Sequence, residues 1–275
     1  MLPLHIVDAF TDRPFAGNPA GVCLLPAGDW PDEAWMQRVA AELCHSETAF
    51  ALPLPAGAEA DWAIRWFTPT VEAKLCGHAT LATAHILRTT RGSRGAIRFR
   101  SRLHGTLVAH LDDTGAVTLD FPAAPAAQVP VPPDLSAALG TAPEATHRTR
   151  WVGDLLVVLP DEAAVRALLP DMDAVAALTD REGLRAVIVT ASADRPGGPY
   201  DFVSRFFAPA NGIPEDPVTG SAHTGLAPYW SGRLGRERLV GLQASARTGL
   251  VRTEVRGDRV LLTGDAVTVL RGELV

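Results

Sequence analysis

The sequence predicts an α+β chain made of two related halves, each a mostly antiparallel sheet with one buried helix. Three observations carry this reading. A strand–loop–helix corner occurs twice: Arg205-Phe-Phe-Ala-Pro209 repeats Arg65-Trp-Phe-Thr-Pro69 at an offset of 140 residues (205 minus 65). Within the same corners, Thr219-Gly-Ser-Ala222 repeats Cys76-Gly-His-Ala79 at an offset of 143 (219 minus 76). A repeat of this range outranks local pattern in fixing a fold. Residues 77–87 are Ala-rich and apolar almost all round, which marks a helix buried on every side. Short apolar or alternating runs bounded by turn residues dominate the rest, without the regular strand–helix alternation of a doubly wound sheet.

Taken in order, residues 4–10 form a strand, 11–19 a loop of Gly, Pro and Asn, and 20–25 a second apolar strand. Pro31-Asp32-Glu33 opens a helix, because proline is tolerated in a first turn and acids face the positive dipole end. Trp35, Met36, Val39, Ala40 and Leu43 follow at helical spacing, so one face packs on a core. Residues 46–52 read as a strand with Glu47, Ala49 and Ala51 on one face and Thr48, Phe50 and Leu52 on the other. Glu47 then has room beside it for a ligand; the plainer alternative is a solvated strand carboxylate. A strand over 61–67, a loop over 68–74 and the buried helix follow. His78 falls in the first turn of that helix, with no metal-binding partner at close spacing, and His85 belongs to the core or the helix end.

Residues 97–99 and 105–121 continue as strands about an Asp112-Asp-Thr-Gly115 turn. Residues 121–134 hold five prolines and little to bury, and are the expected connection between a domain over 1–124 and one over 130–275. Beyond it, 135–139 and 162–169 read as helices, and 155–159, 184–190 and 200–207 as strands. The second corner carries two carboxylates, Glu215 and Asp216, and leads into a helix over 222–230 that Pro228 is expected to kink or shorten. Strands over 239–243, 250–256, 259–262 and 266–271 close the chain.

Hydrophobic residues make up 47% and charged residues 20% of 275 positions, a globular composition with ample core. A net charge of −6 gives no basic footprint, so no nucleic-acid partner is expected. No apolar run reaches the length of a membrane span, and the first residues lack the pattern of a signal peptide; a cytoplasmic protein without membrane association is expected. Cys23, Cys44 and Cys76 are unspaced for zinc and read as small packing residues in a reducing compartment.

No G-x-G-x-x-G, P-loop, H-E-x-x-H or G-x-S-x-G motif occurs. What remains is a set of proton-transfer groups, Glu47, His78 and Asp216, next to Ser46, Gly77, Gly220 and Ser221. A helix start carries about +0.5 charge. Two such starts serving one cleft would favour a carboxylate ligand. A carboxylate base beside that ligand can take a proton from carbon, a contribution of about 10²–10⁴-fold.

The stretches Val7-Asp-Ala-Phe-Thr-Asp-Arg-Pro-Phe-Ala-Gly-Asn-Pro-Ala-Gly-Val22, Ser46-Glu-Thr-Ala-Phe50, Phe67-Thr-Pro-Thr-Val-Glu72, Leu75-Cys-Gly-His-Ala-Thr80 and Glu215-Asp-Pro-Val-Thr-Gly-Ser-Ala-His223 together resemble the PhzF-like phenazine-biosynthesis isomerase family. The resemblance spans nearly the whole chain. It implies the diaminopimelate-epimerase-type fold, two pseudo-symmetric domains each curling a sheet around a central helix, with the last strand near 267–270 returning to the first domain. By position it implies Glu47 as general acid/base, and His78 and Asp216 as catalytic partners that orient substrate or help proton delivery. Ser46, Gly77, Gly220 and Ser221 are the implied carboxylate-binding positions. The family reaction isomerises a dihydro-hydroxyanthranilate with no cofactor or metal, and members commonly form homodimers. Lys74 departs from the family, where relatives often carry an acid.

Two alternatives stand beside this reading. The related epimerases use one cysteine on each corner; Cys76 takes the first position, but Thr219 holds the second, and a hydroxyl is far too weak an acid to replace a thiol. A non-catalytic carboxylate-binding protein of the same fold is the other, and the intact set Glu47, His78 and Asp216 counts against it.

Overall fold

Short apolar strands supply most of the chain's structure, and in each half they pack on one central helix. The computed structural model describes residues 1–103 and 105–275. The chain forms two units, Met1–Asp120 together with Thr263–Val275, and Phe121–Leu262.

In the first unit, β1 (Leu2–Ala9) runs antiparallel to β2 (Asn18–Leu24). Next comes α1 (Glu33–Leu43), started by the Asp32 side chain, which accepts from the Ala34 N–H at 2.8 Å. Pro31 therefore lies just outside the helix, and the cap is the acid after it. Parallel to β2 lies β3 (Glu47–Pro53), which pairs antiparallel with β4 (Trp62–Phe67). The two-residue β5 (Glu72–Ala73) leads into α2 (Gly77–Arg91), buried from His78 to Ala84 and again at Ile86 and Leu87. Then β6 (Gly95–Ser101) returns parallel to β4, and β7 (Gly105–Leu111) and β8 (Val117–Pro122) follow as a meander.

The second unit begins with β9 (Ala126–Val129), inside the proline-rich stretch expected to be plain connection. Its prolines flank the strand rather than occupy it, which leaves every donor of those four residues available to the ladder with β10 (Ala145–Thr149). Between them lies α3 (Leu135–Leu139), and beyond them β11 (Asp154–Val158). Two helices, α4 (Glu162–Ala167) and α5 (Met172–Glu182), precede β12 (Ala186–Ser192). An antiparallel pair of β13 (Phe202–Ala208) and β14 (Ile213–Asp216) enters α6 (Gly220–Leu234). The unit continues with β15 (Arg238–Gln243) parallel to β13, β16 (Gly249–Arg256) antiparallel to β15, and β17 (Arg259–Gly264), within which the chain passes back to the first unit. The last strand, β18 (Ala266–Leu274), pairs along the length of β1.

The two units use one plan. In the first, β1, β2, β3, β4 and β6 pair antiparallel, parallel, antiparallel and parallel in turn. The same succession runs through β10, β11, β12, β13 and β15 of the second. Arg65 grips Glu72 through Nε and Nη2 at 2.8 and 2.7 Å, and Arg205 grips Glu215 the same way at 2.8 and 2.9 Å. Each guanidinium also stacks over the phenylalanine two residues on, Phe67 at 5.1 Å and Phe207 at 5.0 Å. Glu215 is thus a strut that fixes the loop before α6, and not a second acid beside Asp216.

Pro228, expected to kink or shorten its helix, does not shorten it: the helix runs on to Leu234. Proline lacks the N–H that would bond the Thr224 carbonyl. That carbonyl instead accepts the backbone N–H of Ala124 at 2.9 Å, so no acceptor is orphaned. Cys23 is fully buried in the core of β2, β3 and α1, where burial pushes its thiol up to about 12. Cys44, expected as a packing residue, is exposed in a left-handed conformation at the end of α1. No helix among the described residues is long and apolar enough to cross a membrane.

Candidate active site

The first unit gathers its chemistry at the start of α2 and the ends of β2 and β3. Glu47 opens β3, and its side chain keeps only 15% of its exposure. Its Oε2 lies 3.5 Å from Nε2 of His78 in the first turn of α2. On the other side of the imidazole, Nδ1 is 3.4 Å from Asn18 Nδ2 and 3.4 Å from Cys76 Sγ. Asn18 is fully buried, and its Oδ1 accepts the Ser46 hydroxyl at 3.4 Å. An amide whose oxygen takes Ser46 presents its NH₂ to Nδ1, which assigns the His78 proton to Nε2, facing Glu47. Burial pushes His78 down to about 3, with the neighbouring His45 adding to the shift. At neutral pH the ring is uncharged, an Nε2–H donor and not a base.

Asn18 was not singled out from the sequence, although it sits inside the matched Ala16-Gly-Asn-Pro19 stretch. The loop before it explains its placement. Asp8, buried on β1, accepts the Phe15 N–H at 2.7 Å, and Gly17 adopts φ 65°. A Cβ on Gly17 would come within 2.1 Å of the Ala9 carbonyl oxygen, so only glycine lets the chain turn here into Asn18.

The Glu47, Cys76 and His78 ligand atoms all lie within 4.8 Å of one another. His78, expected to have no metal-binding partner at close spacing, has Cys76, two residues before it, and Glu47, brought from β3, both near it. A carboxylate, a thiol and an imidazole are a donor set suited to a borderline-soft divalent ion such as zinc.

The second unit's corner is built differently. Asp216 ends β14 and is 7% exposed. Its Oδ2 accepts a short hydrogen bond from the Thr219 hydroxyl. The fully buried Gln243 of β15 ties the rest: its Oε1 accepts the Thr219 N–H at 2.8 Å, and its Nε2 donates to the Asp216 carbonyl at 2.8 Å and to Thr219 Oγ1 at 3.2 Å. Below them His223, also fully buried and pushed down by burial to about 4, is neutral and donates from Nδ1 to the Thr219 carbonyl at 2.8 Å. The same bond exists in the first unit, from Thr80 Oγ1 to the Cys76 carbonyl at 2.6 Å. Thr219, in the place of a second thiol, therefore spends its hydroxyl on holding Asp216. Gly220 and Ser221 open α6, as Gly77 and His78 open α2. Gln243 was also missed in the sequence; it reaches the corner only through the parallel pairing of β15 with β13.

Two halves built on one plan, each presenting polar groups at the start of its buried helix, define the epimerase type of fold. The family profile described as "Phenazine biosynthesis-like protein" matches residues 7–272. An uncharacterized isomerase of Pseudomonas aeruginosa is 44% identical over 274 residues, covering 99% of this chain and 98% of its own. A crystal structure of a phenazine biosynthesis protein of the PhzF family from Enterococcus faecalis is 41% identical, with TM-score 0.89 and coverage of 100% of this chain and 99% of its own. A hydroxyproline epimerase from Agrobacterium vitis shares the fold alone, at 12% identity and TM-score 0.64 over 98% of this chain and 91% of its own. The chain belongs to the phenazine biosynthesis-like, or PhzF, family, and it is an isomerase.

Proposed function

We propose that the protein moves a proton between two carbons of a small, cyclic amino or hydroxy acid, with Glu47 as the acid and base and no cofactor. The observation that carries the reading is the Glu47 carboxylate, screened from water and faced by a neutral His78 whose proton Asn18 directs towards it. The Glu47 carboxylate takes a proton from the substrate carbon, and the electron pair left behind shifts the double bond. Protonated Glu47 then returns the proton to the far carbon of the same π-system. Nothing is oxidised or reduced. His78 holds and polarises the substrate as a hydrogen-bond donor, and within the second unit Asp216, clamped by Thr219, is the candidate polar group. Gly77 in the first unit, and Gly220 and Ser221 in the second, stand at the start of a buried helix, where an anion such as a carboxylate is favoured, and Ser46 is joined to the first of these starts through Asn18.

Exchange in D₂O tests this. With a panel of cyclic amino and hydroxy acids, wild type is expected to place deuterium on carbon for at least one member, and Glu47→Gln to abolish that while binding persists. Unchanged exchange in Glu47→Gln removes Glu47 from the chemistry. Tight binding without exchange in wild type favours the carboxylate-binding protein.

A further inference from the structure

We infer that Arg185 is the residue of the second unit that recognises a ligand's carboxylate. The inference rests on the proposed function in one respect, that the ligand is a carboxylate bound at Ser221. Nothing in the sequence singled Arg185 out, because it lies outside both repeated motifs.

Strand register locates it. Thr48 faces Phe67 in the first unit and Val187 faces Phe207 in the second. The repeat aligns Phe67 with Phe207, so Ala186 stands where Glu47 stands, and Arg185 stands where Ser46 stands. The helix repeat likewise aligns Ser221 with His78. The first unit joins Ser46 to His78 through Asn18, whereas the second joins Arg185 to Ser221 directly, Nη1 donating to Oγ at 3.0 Å. At the corresponding place, then, the second unit has lost the base and gained a cation.

The cation is built to receive an anion. Its Nε and Nη2 bond the two oxygens of Asp154 at 2.7 and 2.6 Å, and Phe206 lies 5.2 Å beneath Cζ. The Asp154 carboxylate is 1% exposed while the guanidinium keeps 36%, so the group is anchored from below and reachable from outside. A guanidinium has five N–H groups. With three committed to Asp154 and Ser221, one remains on each terminal nitrogen with no partner among the described residues. Both can donate to a carboxylate oxygen from one rigid plane. The orientation is fixed before binding, so little side-chain entropy is lost.

The test compares 2-aminobenzoate with its primary amide by titration calorimetry, on the full chain. Variants are Arg185→Lys, Arg185→Met, and Arg185→Met combined with Asp154→Asn, which avoids leaving a buried carboxylate unpaired; thermal melting confirms that each folds. Wild type is expected to prefer the acid over the amide by about tenfold or more. The double variant is expected to lose that preference, with the acid weakened about 10- to 100-fold and the amide unchanged, while Arg185→Lys recovers part of it. A folded double variant that still prefers the acid, or a wild type without the preference, overturns the inference. Because the readout is binding, Glu47→Gln should keep the preference. Loss of deuterium exchange without loss of preference therefore separates the two proposals.

Discussion

Replacing Gln243 by leucine isolates the bonds that fix Asp216. The side chain is fully buried and makes three hydrogen bonds within the second unit. Leucine is near in size, so the main loss is polar. It leaves the Thr219 N–H and the Asp216 carbonyl without their Gln243 partner, each at a cost of about 1–3 kcal/mol. The expected destabilisation is about 2–6 kcal/mol, a large share of the roughly 5–15 kcal/mol that holds a domain together. At about 2–4 °C per kcal/mol for a chain of this size, melting should fall by roughly 5–20 °C. Gln243→Glu buries a carboxylate beside Asp216, where none of the three bonds is to a cation, and should melt no higher than the leucine variant at neutral pH. The assay is thermal unfolding followed by tryptophan fluorescence, with deuterium exchange measured well below the transition. If Gln243→Leu melts within about 2 °C of wild type, the network does not hold the corner and the role given to Asp216 loses its support.

Buried neutral histidines make the fold acid-labile. His78, pushed down to about 3, and His223, down to about 4, stay unprotonated in the native state while the unfolded chain takes up protons below about 6.5. The unfolded state then binds more protons between those values, so stability falls as pH drops from about 6.5 towards 3. His223→Asn should flatten that limb in urea titrations at stepped pH; an unchanged slope would show that His223 titrates normally. Gly17→Ala, which sets a Cβ 2.1 Å from the Ala9 oxygen at φ 65°, should cost more than about 1 kcal/mol and reduce exchange by displacing Asn18. Wild-type exchange in that variant would detach Asn18 from the site. Zinc added at micromolar concentration should block exchange by occupying Glu47, Cys76 and His78, chelator should restore it, and Cys76→Ser should weaken the block; indifference to zinc would mean the three do not converge on an ion.

The repeat, both buried helices and the groups at their starts were legible because each lies in one contiguous stretch. Groups delivered by strand pairing were not. Asn18 meets His78, Gln243 meets Thr219, and Arg185 meets Ser221 only after β2, β15 and β12 have found their places. The short elements escaped for local reasons. Strand β5 has two residues and no period to read, and β10 carries Thr-His-Arg in place of an apolar run. Helix α5 did carry its signals, Asp171 capping Asp173 and Ala174 and Gly183 in the left-handed region after it, but lies in a stretch for which no element was expected. Pro228 does not shorten its helix because its missing donor is compensated from Ala124, more than a hundred residues away in sequence.

The duplication also explains why the polar groups are not duplicated. Register places Ala186 opposite Glu47 in the scheme of equivalences, and Ala73 opposite Asp216, since Trp66 faces Ala73 as Phe206 faces Asp216. Each unit thus keeps one carboxylate, at a place where the other has alanine. The struts Arg65–Glu72 and Arg205–Glu215 and the bonds to the Cys76 and Thr219 carbonyls, which only build the corner, are present twice. What supports geometry has been retained in both copies, and what does chemistry has diverged. Two equal carboxylates in one plan would suit a reaction whose two faces are alike, as in a racemase. The proposed reaction, in which a proton leaves one carbon and returns to another, asks for a single base and not for two equal ones. That asymmetry, and not the fold, is what the proposal of proton migration rests on.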